Sequence, residues 1–239
     1  MIEPPNLPAP LPNWSAMLTA ISMGYAWTWE IDAARNLMAH AYRIQLASTD
    51  PSVDVDAVLT LLALGVEKTL KLALGCCHIR DTGEDWPQHL KKYRHRTDSA
   101  QRALLKKALK AAPNTAHAPE IEAAVRRIET DPIWEIMILA LDMYGSKGRF
   151  HYQAVLAQDP DRTRLGGPRE SWIAVAFAAL IAKGTPEHND ALDEKSLALV
   201  TEEAAKSILM WWSNMAELAL LGAFGEMGIE LGKNLQPPS

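Results

Sequence analysis

The chain is predicted to be all-α, a multi-helix bundle around one buried central helix. Three observations lead there. No stretch alternates apolar and polar residues with the period of two that a half-buried strand requires. Apolar residues instead recur every three or four positions between breaks rich in proline, glycine, serine and aspartate. Finally, Leu61–Gly75, LLALGVEKTLKLALG, lies inside a candidate helix from about Val53 to Gly75 and is interrupted only by Glu67, Lys68 and Lys71. A helix that is apolar all round must be covered by neighbours on every side.

Composition limits what this bundle can be. With 239 residues, 48% hydrophobic and 22% charged, the chain can bury one good core. A single helical domain over 13–239 is expected, preceded by an extended proline-rich arm at 1–12. A net charge of −5 argues against wholesale coating of nucleic acid. Eight Trp stand against three Phe, and a buried indole N–H needs an acceptor.

Met1–Pro12, MIEPPNLPAPLP, lacks the basic and apolar regions of a signal peptide. The longest charge-free apolar runs, such as Ser171–Ala182, fall short of the roughly 20 residues a bilayer needs. No membrane association and a cytoplasmic location are expected. The only cysteines are adjacent, Cys76-Cys77, which suits a reducing compartment rather than a disulfide. With His78 they lack zinc-ligand spacing, so they read as two buried thiols at a helix end; no metal and no other cofactor is expected.

Taken in order, Asn13 caps a helix from Trp14, with a break or tight contact at Gly24. A second helix, about Trp27–Ala47, places Ile31, Ala34, Met38, Ala41 and Gln45 on one face. Ser48–Ser52 stops it and starts the central helix, where Val55, Val58, Leu59, Leu62, Val66, Leu70 and Ala73 keep helical spacing. Glu67 and Lys71 make an i,i+4 pair there. Cys76–Trp86 reads as loop, with a turn at Asp81-Thr82-Gly83.

Gln88–Lys110 is the most basic segment, with Lys91, Lys92, Arg94, Arg96, Arg102, Lys106, Lys107 and Lys110 against one acid, Asp98. A helix capped by Thr97 or Asp98 runs to about Ala112 and stops at Pro113. Helices follow at 119–129 and from Pro132, the latter almost wholly apolar and so expected to be buried. Arg149–Tyr152 leads into a segment undecided between helix and strand. Polar loops at 159–169 and 184–189 flank a helix at 170–182. From about Leu192 to Gly232, spacings of three and four predict one long last helix, with four glycines that could admit a close neighbour. A partner helix, including its own copy in a dimer, could use that face.

Two places could carry function. In Arg35-Asn36-Leu37-Met38-Ala39-His40-Ala41-Tyr42, Asn36 and His40 are one turn apart. An imidazole can move the proton of an RNA 2′-hydroxyl or leaving group while a guanidinium holds the phosphate. The same residues also fit the solvated face of an amphipathic helix. In the basic segment, Lys91, Lys92, Arg94, Arg96, Arg102 and Lys106 could neutralise phosphates, with Tyr93 or His95 stacking on a base. They also fit a solvated face balanced by acids elsewhere.

The layout of Asp32-Ala33-Ala34-Arg35, a short break, and a second helix carrying Glu67-Lys68 and Lys71 resembles the HEPN superfamily over about 27–157. His89-Leu90 falls where many members carry His-Asp-Leu, although Lys91 follows here. A C-terminal helical extension over about 168–233 lies beyond the resemblance. Arg35, Asn36, His40 and Tyr42 are similar to the Arg-Asn-x(3)-His-x-Tyr form of one toxin branch, where the motif follows the Glu-Lys helix rather than preceding it. The resemblance implies a helical bundle, often a homodimer, that binds RNA or cleaves it without metal in a bacterial defence or toxin system, with an antitoxin as a possible protein partner. The alternative is a non-catalytic interaction or dimerisation module. A nuclease requires Arg35 and His40 to line one groove.

Overall fold

The computed structural model describes residues 14–49, 51–93, 95–146, 148–158, 167–184 and 194–238; within these ranges the side chains of 14–22, 51, 52, 89, 91 and 92 are not described. The described residues form helices and turns and no strand. In chain order the helices are α1 (Trp14–Ala47), α2 (Pro51–Thr82), α3 (Thr97–Ala111), α4 (Ala118–Glu129), α5 (Pro132–Ser146), α6 (His151–Leu156), α7 (Pro168–Ala182), α8 (Glu194–Leu220) and α9 (Glu226–Asn234). The arm at 1–12, the Asn13 cap and most of both polar loops lie outside the described residues.

The central helix is α2. It packs against α1, α3, α5, α7, α8 and α9. Every residue of its predicted stripe, from Val55 to Ala73, is buried. On α1 the predicted stripe from Ile31 to Gln45 is buried as well, and Gln45, the polar member, donates from Nε2 to the Thr201 carbonyl of α8 at 3.3 Å. The buried apolar side chains form one connected core from Ile31 to Leu235.

Several element boundaries differ from the sequence expectation, and glycine is the usual reason. Gly24 does not break α1: a Cβ there would meet open space, and the helix runs on through it. One unfavourable residue costs about 1 kcal/mol, which tertiary packing readily offsets. Gly75 does not end α2. The helix continues through Cys76 and Cys77 to Thr82, so that part of the expected loop is helical. It stops at Gly83, whose φ of +68° and N–H to the Ile79 carbonyl, at 2.8 Å, form the left-handed cap.

The expected single last helix is instead a hairpin, α8 and α9, reversed over 221–225. Gly222 and Gly225 have φ of +77° and +86°, a region open to glycine at little cost. The periodic stripe holds through Leu218, and α9 then folds back onto α8. Gly232 does admit a close neighbour, the α8 backbone of the same chain. Trp212 donates its indole N–H to the Leu235 carbonyl and so ties down the returning helix.

The α5 start is set by Asp131, whose Oδ1 accepts the N–H groups of Ile133 and Trp134 at 2.8 and 3.1 Å. Its other oxygen accepts from Ser207 Oγ of α8 at 2.8 Å. α5 is not wholly buried: Leu139 and Met143, one turn apart, are exposed. The undecided segment after it is a 3-10 turn, Gly148–Phe150, leading into α6.

Candidate binding groove

Between α1, α2 and the segment after α2 lies a groove made of two adjoining cavities of about 550 and 400 Å³, which share Glu30, Leu72 and Trp86. Helical periodicity supplies two walls. Met23, Trp27 and Glu30 are spaced four and three apart on α1, and Leu64, Glu67, Lys68, Lys71 and Leu72 occupy one side of α2. Trp86, Pro87 and Leu90 close it, and Met227 of α9 contributes at one end.

Trp86 is seated by Gly75. A Cβ on residue 75 would collide with the six-membered ring of the indole, so only glycine lets the ring lie against the α2 backbone. Trp86 then meets Trp27 edge to face, with centroids 5.5 Å apart and planes at 66°. The two indoles form the apolar part of the groove.

Its polar part is an ion-pair network. Lys68 of α2 pairs with Glu30 of α1. Glu67, 15% exposed, accepts from Lys71 Nζ at 2.6 Å on one oxygen and from His95 Nδ1 at 2.8 Å on the other. A carboxylate sunk this far needs donors for its oxygens, and each oxygen has one. The groove therefore offers aromatic and aliphatic walls with alternating charges on one lip.

The sequence-predicted site residues are distributed otherwise. Arg35 pairs with Asp32 on its own helix at 3.1 Å. Asn36 and His40 are exposed and share a face, while Tyr42 is half-buried against the core. Five residues turn a helix through about 140° beyond a full revolution, so Arg35 and His40 leave α1 in different directions. In the basic segment Arg96, Arg102 and Lys106 are exposed; Arg102 pairs with Asp98 at 2.9 Å. Lys107 reaches Asp81 at 2.6 Å. Burial alone would raise the Asp81 carboxyl, but hydrogen bonds from Lys107 and Arg80 hold it below its ordinary value. The side chains of Lys91, Lys92 and Arg94 lie outside those described. His95, considered for base stacking, is engaged by Glu67.

Cys76 and Cys77 are buried within α2, ahead of its end rather than at it. Burial pushes their thiols up, to about 12 and about 11. Both should therefore resist a disulfide-exchange reagent at neutral pH in the folded protein and react fully in denaturant. Stoichiometric reaction without denaturant would show that the α2 core opens. Among the described residues no three His, Cys, Asp or Glu side chains converge as metal ligands, and no helix is long and apolar enough to cross a membrane.

Sequence reasoning passed over Trp27, Gly75 and Trp86. The excess of Trp over Phe was the available signal, but it carries no position. Glu67, Lys68 and Lys71 were noticed as the mark of a helix, and in the fold they line the groove. Comparison of the chain with protein-family models, with curated proteins and with solved structures finds no match.

Proposed function

We propose that the chain is a helical binding module whose working site is the tryptophan-walled groove, and that the groove takes an extended apolar peptide segment. The observation that carries this reading is the seat of Trp86 on Gly75, opposite Trp27: aromatic area is held open at the surface by a residue that only glycine can supply. Concave, mostly apolar sites with a few convergent polar groups are where proteins bind ligands, and tryptophan is the residue type that most often dominates binding energy.

Selection of a displayed peptide library on the immobilised full chain tests it. Selected peptides should bind Trp27→Ala and Gly75→Leu about tenfold more weakly or worse, the loss expected when an aromatic anchor is removed. Circular dichroism would confirm that both variants fold. Equal binding to wild type and to a folded Trp27→Ala would overturn the reading.

The exposure of Asn36 and His40 one turn apart on α1, with Arg96 just ahead of α3 and Arg102 and Lys106 on it also exposed, favours a second reading, in which the protein binds or cleaves RNA. Incubating wild type and His40→Ala with a mixed single-stranded RNA pool in EDTA decides it. A metal-independent nuclease leaves cyclic-phosphate ends in the wild-type reaction and none with His40→Ala. Unchanged RNA in both, at enzyme well above contaminant level, removes catalysis from consideration.

A further inference from the structure

We propose that the tryptophan end of the groove is a receptor for a quaternary ammonium group, and that its ligand is a peptide carrying a trimethylated lysine; this rests on the binding-module reading above.

Ring geometry is the first ground. The narrower cavity, of about 400 Å³, is walled by Trp27, Trp86, Met23, Leu72 and Met227. Trp27 and Trp86 meet at 66° with centroids 5.5 Å apart, so they form an open corner with an indole face on either side. The face of an indole carries the negative part of its quadrupole, and two faces turned toward one point attract a cation there. Met23 and Met227 add polarisable, uncharged walls.

Charge is the second. Glu30 is the one charged residue in the lining of this cavity. Its Oε2 takes Lys68, and its Oε1 makes no hydrogen bond among the described residues. Glu67, Lys68 and Lys71 line only the wider cavity. The aromatic corner therefore meets a carboxylate at its edge, with no lysine or arginine in its lining.

Hydrogen bonding decides which cation suits it. An unmodified lysine brings three N–H donors and an arginine five. Inside the corner these would give up water for a single acceptor, Glu30, and the unmet donors would be costly. A quaternary ammonium has no N–H to satisfy. Its charge is spread over methyl groups that pack against indole and thioether, which is the usual chemistry of aromatic receptors for such cations.

The adjoining cavity argues for a peptide as the carrier. A lysine stem reaches into the corner while the flanking chain lies in the wider cavity of about 550 Å³, against Leu64, Pro87, Gln88 and Leu90. A free small cation would fill the corner alone and leave that surface bare.

The test uses the full chain. Synthetic hexapeptides with trimethyl-lysine at a fixed central position and the other positions random are selected on the immobilised protein. The binders are then remade with unmodified lysine, and with the uncharged tert-butyl isostere, in which carbon replaces the quaternary nitrogen at the same shape. Calorimetry should show both replacements binding about tenfold more weakly. Trp27→Ala should lose a similar factor, and Glu30→Gln should narrow the gap between trimethyl-lysine and its isostere, with circular dichroism confirming that both variants fold. Equal affinity for trimethyl-lysine and the isostere would mean that the corner reads shape and not charge, and overturns the inference. So would free acetyl-trimethyl-lysine amide binding as tightly as the peptides. If trimethyl-lysine has no advantage while displayed peptides still depend on Trp27, this inference alone falls. If those peptides are also indifferent to Trp27, the binding-module reading falls with it.

Discussion

Gln101→Leu should lower the unfolding free energy by about 2–6 kcal/mol, because it strands two buried donors at a cost of about 1–3 kcal/mol each. The Gln101 carbonyl oxygen accepts from Trp134 Nε1 at 2.9 Å and from Trp211 Nε1 at 2.7 Å. The two indoles are fully buried and stack with centroids 4.7 Å apart and planes 20° from parallel. One amide thereby satisfies α5 and α8 from α3, and leucine fills similar space with no acceptor. Urea unfolding measures the loss. A double variant, Gln101→Leu with Trp211→Phe, should recover part of it, since phenylalanine has no donor to leave unpaired. If Gln101→Leu costs less than about 0.5 kcal/mol, the level of an ordinary surface substitution, the shared acceptor does not hold these helices.

Gly232→Leu should cost about 3 kcal/mol or more, at the upper end of overpacking, because the obstacle is backbone rather than a side chain that can move. A Cβ on residue 232 would stand 2.8 Å from the Leu220 nitrogen and 2.9 Å from the Ala216 oxygen, so α9 would have to lift away from α8. Lifting it also breaks the tie from Trp212 to the Leu235 carbonyl. Hydrogen exchange should show α9 losing protection while α2 and α5 keep theirs. Gly24→Ala is the contrasting case. Its added methyl meets nothing within 4 Å, and it should gain about 0.5–1 kcal/mol from helix propensity. Similar losses from both substitutions would show that the hairpin contact is not what makes Gly232 necessary.

Much of the fold was legible along the chain. The all-α class, the central position of α2 and the buried stripes of α1, α2 and α8 were all visible in spacing, as was the start of α5 at Asp131-Pro132; α3 instead begins at Thr97 itself, after Arg96 and without the side-chain cap expected of Thr97 or Asp98. Asp131 is recognisable because a cap acts on the N–H groups two and three residues ahead of it. Far less of the groove was legible. The Glu67–Lys71 pair stands out as one helical turn, but Glu67 also takes His95, twenty-eight residues on, and Lys68 takes Glu30, thirty-eight back.

By itself the sequence determined which face of each long helix is apolar, since periodicity is a property of neighbours three and four apart and needs no knowledge of the rest of the chain. Only the tertiary structure decided what the glycines do. Gly24 and Gly75 look like helix ends and are not; Gly222 and Gly225 sit in a helical pattern and reverse it. Glycine is permissive in every backbone region, so its conformation is chosen by what packs beside it: Trp86 against Gly75, α8 against Gly232. The groove belongs to the same class of fact. Its walls come from residues 23–30, 64–72 and 86–90, and they become a site only when burial of the α1 and α2 stripes fixes how the two helices lie together.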